Sequence, residues 1–230
     1  MNRSEVIETL REDAPGALAE LWRRADEVRR TGVGDDVHLR GLVEISNHCV
    51  RGCAYCGLRA GNGKLRRYRL GEREILSAAE EAVRLGYGTI VMQAGEDYGI
   101  EAGWFSGVIE RIKGETPLAV TLSLGERGAD ELAMWRQSGA DRYLLRFETS
   151  NRELYDRIHP GLKGRPSDRM AILGMLRDLG YETGSGVMIG IPGQTYDDLA
   201  DDIMAFGELE LDMVGVGPWI ANVDTPLGKG

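Results

Sequence analysis

The chain has 230 residues, of which 42% are hydrophobic and 28% are charged, proportions typical of a globular protein with one large or two small domains. No segment approaches the roughly 20 apolar residues of a membrane-spanning helix, and the N-terminus lacks the apolar stretch of a secretory signal, so we expect a cytoplasmic protein. The net charge of -9 argues against nucleic acid and anionic membranes as partners.

The predicted elements begin with two helices near residues 3–11 and 15–30, and residues 1–37 are interpreted as an N-terminal helical extension. From residue 38 onwards, helical and β-branched segments alternate. Strands are predicted near 42–47, 89–95, 119–124, 142–148, 184–190 and 213–219. Helices are predicted between them, near 72–85, 104–113, 129–138, 167–179 and 196–209.

A repeated joint links helix to strand. Gly86, Gly139 and Gly180 each stand where a helix ends, and a short apolar run follows each of them. This repetition indicates an α/β fold with a parallel sheet, either an open doubly wound sheet or a partial barrel. A complete eight-unit barrel needs about 250 residues. If residues 38–230 form a barrel, we therefore expect it to be open or C-terminally truncated and to lack the last strands, as a fragment or as a short natural variant.

In both architectures the chemistry lies at the carboxyl ends of the strands. The three cysteines of the chain, Cys49, Cys53 and Cys56, directly follow the first predicted strand. Their spacing allows three interpretations: small apolar residues on one helix face, a zinc site with His48 as fourth ligand, or an iron–sulfur cluster with one iron left open. Gly52 argues against a continuous helix, and the adjacency of His48 to Cys49 argues against zinc.

The pattern Cys49-x3-Cys53-x-Tyr55-Cys56 resembles the signature of the radical S-adenosylmethionine (SAM) superfamily. The resemblance implies a full or partial (βα) barrel of the TIM type and a [4Fe-4S] cluster held by the three cysteines. It also implies that SAM chelates the fourth iron. One electron, from a donor of the ferredoxin or flavodoxin type, then cleaves SAM to a 5′-deoxyadenosyl radical.

Further residues at the strand ends correspond to SAM contacts of that superfamily. Glu96, in "GED", resembles the acid that binds the SAM ammonium, Glu148 an acid for the ribose hydroxyls or the ammonium, and Arg169 the partner of the SAM carboxylate. Taken alone, each is also common in turns or on solvated surfaces. The implied SAM contacts are Tyr55, Gly95, Glu96, Ser123, Glu148, Arg169, Gly190 and Gly217.

Longer segments, above all "TLSLGER" and "ETGSGVMIGIPGQT", resemble the HydE family of [FeFe]-hydrogenase maturases within the superfamily. This implies H-cluster assembly from a small iron complex carrying cysteine, carbon monoxide and cyanide, with the other hydrogenase maturases as partners. Methylornithine synthase and biotin synthase families, which act on small organic substrates, are the alternatives, and a zinc-stabilised protein without catalysis is a third.

The sequence leaves the roles of two charged features open. Arg146 stands two residues before Glu148 and shares its strand face, so we expect it to attract an anionic substrate or to form an ion pair inside the barrel. The basic run Lys64 to Arg69 is either a solvated surface or a patch that guides an anionic substrate or a partner protein. Phe147, where the family commonly has His, is expected to point away from the barrel interior.

Overall fold

The computed structural model describes residues 1–229. Six parallel strands form one sheet whose spatial order is the chain order, β1 to β6. Their bounds are Gly41–Ser46, Thr89–Ala94, Ala119–Ser123, Arg142–Leu144, Glu182–Ile189 and Met213–Pro218. Within the described residues β1 and β6 are the two edges and do not pair with each other, so the sheet is a partial barrel, as predicted.

Eight α-helices accompany the sheet within residues 1–229. Their bounds, α1 to α8, are Arg3–Leu10, Pro15–Val33, Glu72–Arg84, Ala102–Glu115, Ala129–Gln137, Arg152–Ile158, Arg169–Asp178 and Tyr196–Glu208. A short 3-10 turn covers Leu227–Lys229. In this part of the chain no helix combines the length and the apolar character needed to cross a bilayer.

Three helices end at the glycines predicted from the sequence. Gly86, Gly139 and Gly180 have φ of 78°, 105° and 84°, the left-handed region that glycine enters without strain. Each one turns the chain from a helix into the next strand, which confirms the predicted α-to-β joint.

Two elements differ from prediction. The fourth strand was predicted over 142–148, but its regular pairing ends at Leu144, because the amide of Phe147 donates to the Ser185 side chain rather than to a backbone carbonyl. The ladder resumes where the Glu148 amide donates to Gly186. The short helix α6 was not predicted; its N-cap is Asn151, whose side chain accepts from the amide of Leu154 at 3.1 Å.

Side chains alternate across the strands and thereby separate the core from the barrel interior. Met92 and Leu122 are fully buried in the hydrophobic core between sheet and helices. Their neighbours Gln93 and Ser123 point the other way and line a cavity inside the barrel. The same alternation holds at the end of the fourth strand, so that polar residues converge on one interior space.

Phe147 lies on the outer side of the sheet, as expected. It is buried, and its ring packs against Phe206 of α8 with 5.7 Å between centroids. The first helix packs on the same element, since Arg3 of α1 pairs with Asp197 at 3.0 Å and Val6 is buried. The domain division at residue 37 stays a prediction.

Candidate active site at the carboxyl ends of the strands

A cavity of about 340 Å³ opens at the carboxyl ends of the strands. It brings together every site residue predicted from the sequence except Gly190 and Gly217. Gly190 follows the end of β5, with its amide bonded to Gln194, and Gly217 pairs with Met188 within β6. The predicted residues in the lining are Cys49, Cys53, Tyr55, Cys56, Gly95, Glu96, Ser123, Arg146, Glu148 and Arg169.

The cysteine loop is held in place by backbone hydrogen bonds. The amide of Val50 donates to the carbonyl of Glu96 at 2.9 Å, and the amide of Ala54 donates to the carbonyl of Ile158 at 2.7 Å. A third bond, 2.8 Å long, joins the amide of Ala60 to the carbonyl of Arg51. Backbone groups at the end of β2 and the end of α6 therefore hold the loop that carries the thiols.

Gly95 allows β2 and the cysteine loop to approach closely. A Cβ at this position would lie 2.3 Å from the carbonyl oxygen of His48 and 2.8 Å from the Cβ of Cys49. Both neighbours belong to the loop itself, and a backbone oxygen cannot swing aside as a flexible side chain would.

We expect Gly95→Ala to displace the cysteine loop, lower the free energy of unfolding by about 1–3 kcal/mol and reduce iron incorporation. Gly107→Ala is the matched control, because nothing lies within 4 Å of the added methyl group in α4. That control should be neutral or stabilising by up to about 1 kcal/mol. Denaturant titration and iron analysis of both variants test this; equal iron content in the two would contradict it.

The basic run Lys64 to Arg69 contains two arginines that form hydrogen bonds within the protein. Arg67 donates to the carbonyls of Leu58 and Arg59, both at 2.8 Å. Arg69 makes a two-pronged pair with the buried carboxylate of Asp97 at 2.6 and 2.8 Å. Arg67 is half-buried and fastens the cysteine loop, whereas Arg69 is 44% exposed and holds the end of β2 from the surface.

Asp97 completes this fastening. It accepts hydrogen bonds from the Ser46 hydroxyl at 2.6 Å and from the Gly99 amide at 2.9 Å in addition to Arg69. Burial alone would raise the pKa of Asp97, but the bonds from Arg69, Ser46 and Gly99 lower it to about 2. Asp97, the last residue of "GED", therefore links the end of β1 to the loop that follows β2.

The three thiols fit a cluster better than a single metal ion. Cys53 is buried, while Cys49 and Cys56 are half-buried, and all three line the same cavity. His48 is not in that lining, and among residues 1–229 no three His, Cys, Asp or Glu side chains are arranged to hold one metal ion. An iron–sulfur cube spreads its thiolate ligands over separate iron atoms, and three thiols leave one iron open.

Burial raises the pKa of Cys53 to about 12, partly offset by the positive charge of Arg169. Burial also raises the pKa of Cys56. The free thiols of Cys53 and Cys56 are therefore protonated at neutral pH, and metal binding to them would release protons.

A buried chain of charges, which the sequence did not reveal, lies beside the thiols. The Arg51 guanidinium donates to Glu96 and to Glu126, both at 2.7 Å, and its side chain is only 2% exposed. Glu126 also accepts from Arg169 at 3.0 Å and from the Ser167 hydroxyl at 2.5 Å. Burial alone would lower the pKa of Arg51, but the two carboxylates raise it above its ordinary value.

The Glu96 carboxylate belongs to this chain of charges and accepts three hydrogen bonds. One carboxylate oxygen accepts from Arg51 and from the Tyr98 hydroxyl at 2.6 Å, and the other accepts from the Glu126 amide at 3.2 Å. Glu96 lines the cavity, but its carboxylate is held by protein donors. Oε2 accepts one hydrogen bond and has room for a second donor, so the expected contact with the SAM ammonium stays a prediction.

The Glu148 carboxylate has one oxygen that accepts no hydrogen bond. One oxygen accepts from the Tyr55 hydroxyl at 3.3 Å, whereas Oε2 is buried, has no hydrogen-bond partner and lies 3.4 Å from Nη2 of Arg146. Burial raises the pKa of Glu148, against the opposing effect of Arg146 and Arg169. Its φ of 65° is a conformation that non-glycine residues seldom adopt, and such strain concentrates at functional sites.

Arg169 opens α7 and reaches into the cavity. It donates to Glu126, to the carbonyl of Arg146 at 2.6 Å and to Nε2 of His159 at 2.7 Å. His159 is fully buried, and burial together with the charge of Arg169 lowers its pKa to about 3. The sequence points to Arg169 but gives no signal for His159.

This fold and this site define the class of protein: the chain belongs to the radical SAM superfamily, whose family model matches residues 43–205. Within the superfamily, it is 45% identical over 227 residues to the [FeFe] hydrogenase maturase subunit HydE of Thermotoga maritima. That alignment covers 99% of this chain and 64% of HydE, so the chain spans less than two thirds of this relative.

Other relatives are more distant. The 3-methylornithine synthase of Methanosarcina acetivorans is 28% identical, with 92% of this chain and 60% of that protein covered. Biotin synthase of Geobacillus thermodenitrificans is also 28% identical, with 90% and 62% covered. Among solved structures, methylornithine synthase (PylB) superposes with a TM-score of 0.90 at 24% identity, covering 100% of this chain and 67% of PylB. This last likeness confirms the fold.

Proposed function

We propose that this chain binds a [4Fe-4S] cluster through Cys49, Cys53 and Cys56 and cleaves SAM reductively, as the catalytic barrel of a HydE-like maturase. The observation that carries the proposal is the meeting in one cavity of three thiols, a fixed guanidinium and a buried carboxylate whose Oε2 accepts no hydrogen bond. When bound, the cluster supplies the electron that cleaves SAM to a 5′-deoxyadenosyl radical.

The side chains of the cavity divide the recognition of SAM between them. The Arg169 guanidinium is the partner for the carboxylate of SAM, because a planar fork matches a carboxylate. Glu148 offers its unpaired Oε2 to the ammonium or the ribose hydroxyls. Tyr55, Ser123 and the backbone at Gly95 complete the lining. The Glu96 carboxylate holds Arg51 through Oε1 and offers the remaining acceptor position of Oε2 to the SAM ammonium.

The proposed substrate is a small iron complex with cysteine, carbon monoxide and cyanide, and Arg146 is the cationic group offered to it. Arg146 lines the cavity, and its Nε is buried without a hydrogen-bond partner. An electron donor of the ferredoxin or flavodoxin type and the other hydrogenase maturases are the proposed partners, in the cytoplasm. The 45% identity to HydE, against 28% to methylornithine synthase and biotin synthase, favours this assignment over an organic substrate.

Anaerobic reconstitution with iron and sulfide, followed by incubation with SAM and dithionite, tests the chemistry. We expect a brown protein with about four iron atoms per chain, and 5′-deoxyadenosine formed only when dithionite is present. A colourless protein that binds zinc would refute the proposal. Hydrogenase maturation in a reconstituted assembly system then separates the HydE-like role from the organic-substrate alternatives.

A further inference from the structure

His159 stands behind Arg169 and has no place in the function described so far. Its Nε2 lies 2.7 Å from Nη2 of Arg169, and the side chain is fully buried at the end of α6. Every guanidinium nitrogen is a donor, so Nε2 must be the acceptor in this bond. The imidazole is therefore neutral, with its proton on Nδ1.

The Arg169 guanidinium has five N–H groups, of which Glu126, the carbonyl of Arg146 and His159 engage three. Two N–H groups remain on a side chain that lines the cavity. With three acceptors on different elements, the plane of the guanidinium is fixed, and so is the direction of the two remaining donors.

We propose that His159 is a positioning residue for Arg169: it fixes the guanidinium so that the two remaining N–H groups receive the carboxylate of SAM. The proposal rests on the proposed function, since it takes SAM as the ligand of this cavity. His159 is not in the lining of the cavity and acts through Arg169.

The chemistry of an imidazole suits this task. A carboxylate at position 159 would orient Arg169 equally well but would cancel the positive charge that attracts the ligand. Glu126 is a carboxylate, but it is shared between Arg169 and Arg51. A neutral acceptor orients the guanidinium and leaves its charge available. The ring is kept in place by Tyr155, whose centroid lies 4.9 Å away.

Stability alone does not account for His159. Its Nδ1 is buried with no hydrogen-bond partner, which destabilises a folded protein. An apolar residue of similar volume would avoid that cost but would leave an N–H of Arg169 without its acceptor.

The test compares three variants of the reconstituted full chain, with SAM binding measured by equilibrium dialysis and by the change that SAM causes in the electron paramagnetic resonance spectrum of the reduced cluster. We expect His159→Leu to weaken SAM binding roughly tenfold, the effect of losing one hydrogen bond to a charged group. His159→Gln, whose amide oxygen can replace Nε2, should bind within about threefold of the wild type. His159→Asn is polar but too short to reach Arg169, so it should resemble the leucine variant.

His38→Leu is the matched control, because His38 is exposed and lies outside the lining of the cavity. It should leave SAM binding unchanged. Equal SAM affinity in all His159 variants and the wild type would overturn the positioning role, as would equal losses in the glutamine and leucine variants. If His159→Leu fails to take up iron, the comparison of the glutamine and asparagine variants decides. A wild-type protein that holds a cluster but binds no SAM would refute the proposed function itself.

Discussion

Glu126→Ala is expected to lower the free energy of unfolding by about 3–5 kcal/mol, a large fraction of the roughly 5–15 kcal/mol typical of native proteins. The carboxylate is 7% exposed and pairs with both Arg51 and Arg169, at 2.7 and 3.0 Å. Its removal leaves two buried cations with one carboxylate fewer to balance them, and buried charge without a partner is strongly destabilising.

Two further variants show whether the loss of stability comes from the missing buried charge or from the missing side-chain volume. Glu126→Gln keeps the shape and one acceptor oxygen, so we expect a smaller loss than for alanine. Glu115→Ala removes an exposed partner of Arg111 and should change the free energy of unfolding by less than about 1 kcal/mol. Urea titration of the apoprotein measures all three. Equal stability of Glu126→Ala and Glu115→Ala would mean that the guanidinium groups reach water and that the buried chain of charges does not stabilise the fold.

The order of the elements could be predicted because its signals are local. Glycines such as Gly86 end the helices, and β-branched runs follow them, so six strands and a parallel sheet could be derived from neighbouring residues alone. The position of the cysteine loop followed from the same logic, since parallel strands bring their carboxyl ends to one edge. The interruption of β4 by the Ser185 side chain has no comparable local signal.

The buried chain of charges could not be predicted, because its members are far apart in sequence. Arg51 and Glu126 are separated by 75 positions and Glu126 and Arg169 by 43. Nothing in the sequence fixes which way these side chains point. The segment "TLSLGER" resembles the maturase family, but the sequence alone does not show that its glutamate, Glu126, pairs with two arginines.

The hydrogen bonds that distinguish Glu96 from Glu148 could not be predicted from the sequence either. Both are acids at strand ends; the resemblance assigns Glu96 to the SAM ammonium and Glu148 to the ribose hydroxyls or the ammonium. In the structure, donors occupy both carboxylate oxygens of Glu96, whereas Oε2 of Glu148 has no hydrogen-bond partner. Burial is similar for the two, at 4% and 6% exposed, so hydrogen bonding and not accessibility distinguishes them.

Cys56→Ser should have the opposite profile to Glu126→Ala, with loss of chemistry and retention of fold. The loop that carries Cys56 is anchored by backbone bonds such as Ala54 to Ile158, which do not involve the thiols. Burial raises the pKa of the Cys56 thiol, while backbone amides at Leu58 and Arg59 act against this. A serine hydroxyl can accept from these amides, so we expect the free energy of unfolding of the apoprotein to change by less than about 1 kcal/mol.

In the proposed cluster, loss of the Cys56 thiolate leaves a second iron without a protein ligand. We expect the visible absorbance of the reconstituted protein to be largely lost and 5′-deoxyadenosine formation to fall by more than about 100-fold, beyond the effect of losing a group that only orients a ligand. The two measurements are made on the same preparation, with Cys56→Ala as a second variant that offers no oxygen to iron. A Cys56→Ala protein that keeps its cluster and cleaves SAM at the wild-type rate would show that the three cysteines are not the ligand set, whereas an unfolded apoprotein would show that the thiols themselves hold the loop.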